Sequence, residues 1–191
     1  MTLDDGTKLG LYRQTVEDFG LSIGKELSEE EASRLLTAAG QMSAKMRAVR
    51  IVSATSVSRR CLEERLVRKG EDPVQAKEAV QWMEDLHLVD DRNTAEQVVR
   101  ACISKGYGLA RAKQALYEKR IPKELWDEVL EDYPDQMERI TAFLRNRLDE
   151  DSDEKQVKRA IDALIRRGHG YGTIKQALNN LSFDSEDYIE E

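Results

Sequence analysis

The stretch Ala101-Cys102-Ile103-Ser104-Lys105-Gly106-Tyr107-Gly108 returns 62 residues later as Ala163-Leu164-Ile165-Arg166-Arg167-Gly168-His169-Gly170. Five positions past the second glycine, both copies read Lys-Gln-Ala-Leu, at Lys113–Leu116 and Lys175–Leu178. Each copy has an apolar helix end, basic residues, a Gly-aromatic-Gly break and then a second basic helix. A fainter copy precedes them, with Leu62 and Leu66 on a helix that stops at Lys69-Gly70. Self-similarity at such a spacing marks stacked helical units, each unable to bury its apolar face alone.

The local signals agree with that reading. Ala48, Val49 and Val52 form one short apolar stripe. Ser58 is placed to cap the next helix, Leu62 and Leu66 face inward, and Gly70 supplies the left-handed stop. Asp72-Pro73 opens a third helix, with proline at the first helical position where its missing N–H costs nothing. Ala76, Ala79, Val80, Met83 and Leu86 recur at three and four residues, one buried face. In the second unit Thr94 and Gln97 suggest a capping box, and Val98, Val99, Cys102 and Ile103 a core stripe. Ala112, Ala115 and Leu116 pack the following helix, and Pro122 opens another containing Leu125, Trp126, Val129 and Leu130. Further helices are expected near 135–148, 155–167 and 172–181, with an acidic linker at 149–154.

The expected fold is therefore all-α: an elongated, curved array of three tandem three-helix repeats at 44–90, 91–133 and 134–191. Residues 1–43 form a small extension, with a weak strand at Lys8–Tyr12 that allows a short β-strand or hairpin. A helical turn follows at Thr15–Phe19, then a helix from the Ser28–Glu31 capping box to Gly40. Leu21, Ile23 and Leu35 are the expected contacts that dock this extension.

Composition narrows the function. In 191 residues, aromatics make up 6% and charged residues 35%, a poor balance for a sandwich or barrel. No apolar run approaches the roughly 20 residues of a membrane span. The acidic opening Met1-Thr2-Leu3-Asp4-Asp5 is unlike a secretory signal, so a cytoplasmic protein is expected; a monomer is expected as well. Cys61 and Cys102 lack metal-ligand spacing and read as small buried groups in a reducing compartment. Gly106-Tyr107-Gly108 follows a helix rather than a strand, against a nucleotide site. His87 and His169, the only histidines, have no cysteine or helical histidine partner for zinc. Carboxylates lie in caps and linkers, without a catalytic pair. No cofactor, metal or enzymatic activity is expected. Trp82 and Trp126 read as core or interhelical contacts. Tyr107 and His169 hold equivalent positions, suited to stacking on a base or to wedging between helices.

Charge is distributed unevenly around the net of −7. Residues 45–69 carry a net of +6, 100–123 a net of +6 and 155–175 a net of +5, whereas 1–43 and 134–191 each carry −4. Such alternation suits solvated helix faces or a recurring basic surface that meets a polyanion or acidic protein. The candidate contact residues are Arg59, Arg60, Arg65, Arg111, Lys113, Lys119, Arg166, Arg167 and Lys175.

The string Met83–Ala95, with Asp90-Asp91 at its turn, is followed by Lys105-Gly106 and the Gly108-x-x-Arg111 helix. Together with Leu62–Gly70 and Arg166-Arg167-Gly168-His169 before Ile174, it resembles the RecX family of recombinase regulators over roughly residues 44–183. Thr94, His87 and His169 stand where the family usually has aromatics, and Glu71 where an apolar residue is usual. Glu71 and Thr94 are expected to weaken local packing. The resemblance implies an array of three three-helix units that binds the RecA recombinase along its filament on DNA. There it would damp ATP turnover, strand exchange and filament growth. A nucleic-acid-binding module acting directly on single- or double-stranded DNA, and a generic protein-interaction scaffold, are the alternatives.

Overall fold

The computed structural model describes residues 2, 6, 8–149 and 151–181. It divides into two compact units, Met1–Asp91 and Arg92–Glu191. Among the described residues there are only helices, turns and a single β-bridge.

The first unit holds α1 (Arg13–Asp18), α2 (Glu29–Ala54), α3 (Arg59–Arg68) and α4 (Pro73–Asp85). The strand expected at 8–12 reduces to the bridge Thr2–Lys8, because Tyr12 is already the extended residue that precedes α1. Ser28 and Glu31 form the expected capping box, and α2 then runs 26 residues. It does not stop at Gly40. That glycine is a notch, filled by the Gln75 side chain of α4, and its backbone stays helical. Gly20 ends α1 at φ +52°. Leu35 is buried as expected, whereas Ile23 is fully exposed and docks nothing.

Small residues set the packing here. Ala44 and Ala48 on α2, with Ala76 and Ala79 on α4, are fully or almost fully buried. They let the two backbones approach, while Leu62, Leu66, Val80 and Met83 fill the space between. Ser58 caps α3 by accepting from the Cys61 amide at 3.2 Å. Asp72 caps α4 by accepting from Val74 and Gln75, with Pro73 at the first position. Cys61 is half-buried and Cys102 buried, both free thiols.

Glu71 does not weaken this unit in the way an apolar-to-acid change implies. Its buried carboxylate accepts from Arg47 Nε at 2.6 Å and Ser43 Oγ at 3.0 Å, while Arg47 also donates to the Lys69 carbonyl at 3.1 Å. A polar clamp straps the α3–α4 turn to α2 in place of an apolar contact, and burial is tolerated because the charge is paired.

The second unit contains most of α5 (Asp91–Ser104), then α6 (Leu109–Glu118), a 3₁₀ turn (Lys123–Leu125), α7 (Trp126–Leu130), α8 (Met137–Arg145), α9 (Glu154–Arg166) and α10 (Tyr171–Asn179). Pro122 leads into the 3₁₀ turn rather than directly into an α-helix. The capping box expected at Thr94 and Gln97 does not form, because α5 begins three residues earlier at Asp91. Thr94 is buried within the helix and the Gln97 amide donates to Asn93 at 3.2 Å. Asp91 instead reaches α3 and accepts from the Arg59 amide at 2.8 Å. Ala95, Val99, Leu116 and Ile121 form one apolar cluster with Leu125, Trp126 and Val129. Ile140, Leu144, Val157, Leu164, Ile174 and Leu178 centre a second. The Asp153–Gln156 capping box starts α9.

Six helices stop alike. After α1, α3, α4, α5, α6 and α9, the chain turns left-handed at Gly20, Gly70, His87, Gly106, Arg120 and Gly168, with φ from 52° to 91°. At each stop two amides return to the helix's last carbonyls, as when Tyr107 donates to Cys102 and His169 to Leu164. Two of these positions lack glycine. His87 is exposed, and an L-residue there carries roughly 1 kcal/mol of strain. His87→Gly is therefore expected to stabilise the protein by about 1 kcal/mol, read as a rise of about 3 °C in the thermal midpoint.

Candidate interaction surface

The two copies of the repeated sequence meet in the second unit. The Gly108 amide, at the start of α6, donates to the Arg167 carbonyl at 2.8 Å, and the Ala110 amide donates to the Gly168 carbonyl at 3.2 Å. Donors left over at the N-terminus of α6 thus satisfy acceptors left over at the C-terminus of α9, and the two helix dipoles meet head to tail. No side chain fits between them. A Cβ on Gly108 would collide with the Gly168 carbonyl and the His169 amide, and one on Gly168 would collide with the Arg111 backbone and Cβ.

His169 is the wedge beside this contact. It is buried, and its Nε2 lies 3.2 Å from the Gly106 carbonyl, whereas Nδ1 is buried without a hydrogen-bond partner. Burial pushes its pKa below the ordinary histidine value, the Gly106 carbonyl opposes this, and Arg167 and Arg139 push it lower still. The neutral ring with Nε2–H donating is the form that fits. Since the unfolded chain takes up its proton at higher pH, stability contributed here is complete above the ordinary histidine range near 6.5 and declines as pH falls below it. Thermal melts of the wild type from pH 7.5 downward are expected to show that decline, and His169→Phe is expected to flatten it. Tyr107 is half-buried, and its carbonyl accepts from the Tyr133 hydroxyl at 2.7 Å. Arg139 reaches from α8 to the Ile103 carbonyl.

The nine candidate cations divide by environment. On α3, Arg59 pairs with Glu84 at 3.0 Å, Arg60 with Glu64 at 3.4 Å, and Arg65 is half-buried. On α6, Arg111 pairs loosely with Glu118 at 3.5 Å, Lys113 is exposed and Lys119 is half-buried. Arg166 is exposed at the end of α9, Arg167 follows half-buried, and Lys175 lies half-buried on α10. Gly168 brings Arg111 against the Arg166-Arg167 segment. The strong positive counts of the sequence are thus partly offset by carboxylates from the next turn or the next helix.

One cation of this region was not among the candidates. Arg147, just past α8, lies 4.4 Å from the Phe143 ring centroid, and Arg167 lies 4.9 Å from the same ring. Charge counting passes over Arg147 because the acidic run Asp149-Glu150-Asp151 begins two residues after it. Elsewhere in the unit, a groove of about 300 Å³ between α5 and α7 is crossed by the Arg92–Glu128 ion pair at 2.5 Å, with Arg100–Glu96 paired along α5 at 3.2 Å. Among the described residues no cluster of His, Cys, Asp and Glu is placed to hold a metal, and no helix is long and apolar enough to cross a membrane.

Comparison with known proteins places this arrangement. Residues 90–130, which span α5 to α7, match the RecX second three-helix domain. The regulatory protein RecX of Clostridioides difficile is 27% identical over 97% of this chain and 90% of its own length. That of Vibrio campbellii is 26% identical over 76% of this chain and 94% of its own. Along most of its length the chain is thus similar to regulatory proteins named RecX. Two crystal structures share its fold. One, of regulatory protein RecX, superposes with a TM-score of 0.69 over 93% of this chain and 92% of its own, at 19% identity. The other, RecX from Lactobacillus salivarius, superposes with a TM-score of 0.65 over 76% and 98%, at 24% identity. Within the matched residues 90–130, the acidic turn that opens α5 and the glycine stop that closes it are the features the structure explains. Asp91 docks onto α3, and Gly106 frees Gly108 to meet α9.

Proposed function

We propose that this chain is a non-enzymatic regulator of the RecX family that binds the RecA recombinase and its filament on DNA. It restrains ATP hydrolysis, strand exchange and filament growth. The observation that carries this reading is the correspondence to a regulatory protein RecX along nearly the whole chain, with the match to the RecX second three-helix domain on α5–α7. The basic residues support it. Lys113 and Arg166 are exposed, without an ion pair among the described residues, on α6 and α9, the helices joined at the glycine contact. In this reading Arg59, Arg60, Arg65, Arg111, Lys113, Lys119, Arg166, Arg167 and Lys175 supply contacts that orient the encounter, with apolar groups holding the complex. Single exposed charges contribute roughly 1 kcal/mol or less, so clustered changes are needed to see them. Arg111→Glu with Lys113→Glu is expected to weaken inhibition of recombinase ATP hydrolysis at least about tenfold, with an unchanged thermal midpoint. Undiminished inhibition by this variant would remove α6 from the interface.

A further inference from the structure

We propose that Arg147 and Arg167, held over Phe143, form a clamp for the phosphodiester backbone of single-stranded nucleic acid. The inference deepens the DNA side of the function proposed above and does not depend on the recombinase side. Two guanidinium groups lie within 4.9 Å of the centroid of one phenyl ring, one from the end of α8 and one from the end of α9. Like charges gathered this way repel unless an anion lies between or beside them, and neither has an ion pair among the described residues. Two carboxylates close in sequence make other hydrogen bonds. Asp149, two residues from Arg147, accepts from Ser152 at 2.7 Å, and Asp153 accepts from the Gln156 amide at 2.7 Å in its capping box. The ring fixes the guanidinium groups without consuming their N–H donors, so the forks stay available for a bidentate anion. Exposed Arg166 adds a third cation beside Arg167.

A phosphodiester fits better than a protein carboxylate for a second reason. Four residues beyond Arg167, across the Gly168-His169-Gly170 turn, Tyr171 is 46% exposed at the first position of α10. A cationic site with an exposed aromatic nearby is the combination that holds single strands, by neutralising phosphates and stacking a base. The acidic net charge of the whole chain makes this local clustering necessary, because long-range attraction is absent.

The test is fluorescence anisotropy of labelled oligothymidylate with the full chain at about 50 and about 200 mM salt. Arg147→Ala with Arg167→Ala is compared with a charge-matched control, Lys155→Ala with Lys158→Ala. The clamp variant is expected to bind at least about tenfold more weakly, with a salt slope reduced by about 1.4, the contribution of two phosphate contacts on a single strand. The control is expected to remain within about twofold of wild type. Should the alanine variant fold poorly, Arg147→Lys with Arg167→Lys keeps the charge and loses the fork, and an intermediate loss is expected. Equal losses in clamp and control variants, no oligothymidylate binding by wild type, or equal competition by polyglutamate would each overturn the clamp. Recombinase inhibition is measured on the same samples. Clamp-dependent binding without inhibition sinks only the regulator reading, and inhibition without clamp-dependent binding sinks only the clamp.

Discussion

Gly168→Ala is expected to destabilise the second unit by about 3 kcal/mol and to lower the thermal midpoint by about 10 °C. Two costs combine. The residue sits at φ +83°, where an L-side chain is strained by roughly 1–2 kcal/mol. Its Cβ would also meet the Arg111 backbone, which belongs to α6 and cannot swing away, an overpacking cost of roughly 1–3 kcal/mol. Gly108→Ala meets the same obstacle from the other side without the strain, since its φ is −78°. Because both changes force α6 and α9 apart, the double variant is expected to lose less than the sum of the two. Gly40→Ala provides the contrast. There the obstacle is the far end of the Gln75 side chain, and alanine gains about 1 kcal/mol of helix propensity, so stability should change by less than about 1 kcal/mol. Equal losses at Gly40 and Gly168 in thermal melts would show that the helix junction contributes nothing special.

Leu66→Ala carries the second large effect, in the first unit. Leu66 is completely buried in the cluster formed by α2, α3 and α4. Its carbonyl also accepts from the Lys69 and Glu71 amides that close α3. Removing three carbons from such a site costs the lost transfer energy and the cavity left behind, about 3–4 kcal/mol. The surrounding alanines on α2 and α4 cannot collapse into the space, since their backbones are already in close approach. Amide hydrogen exchange in α3 and α4 is expected to accelerate correspondingly. Leu86→Ala, at a side chain 48% exposed, is expected to change stability by less than about 0.5 kcal/mol. A cost below about 1 kcal/mol for Leu66→Ala would mean that the three helices are packed more loosely than the buried areas indicate.

Much of this architecture is legible in the sequence because its signals are local. Ser58, Asp72 and Pro73 cap helices through side chains that act within three residues. Gly70, Gly106 and Gly168 stop helices through their own backbone freedom. The left-handed stops at His87 and Arg120 are illegible for the converse reason: neither residue type advertises the conformation. Gly40 misleads, since a glycine that ends a helix and one that admits a neighbour look identical until Gln75 is placed beside it. Thr94 misleads likewise, because the real start of α5 depends on Asp91, whose partner lies 32 residues away on α3.

The candidate surface was legible in part. Counting charge singles out Arg111, Lys113, Arg166 and Arg167 together with Arg59, Arg60, Arg65, Lys119 and Lys175 as candidates. It could not show that Arg59 and Arg60 are already paired, since the partner of Arg59 is on another helix. It passed over Arg147, whose companions are an aromatic four residues earlier and an arginine twenty residues later. The repeated Gly-aromatic-Gly motif is plain in the sequence. Its role, joining its own two copies, required the fold.

The most direct test of the central claim is ATP hydrolysis by preformed RecA filaments on single-stranded DNA, titrated with this protein at low and at physiological salt. Inhibition that is complete well below one copy per recombinase subunit, and persists at the higher salt, is the predicted result. Absence of inhibition at equimolar protein, together with binding to naked DNA that vanishes as salt rises, would contradict it.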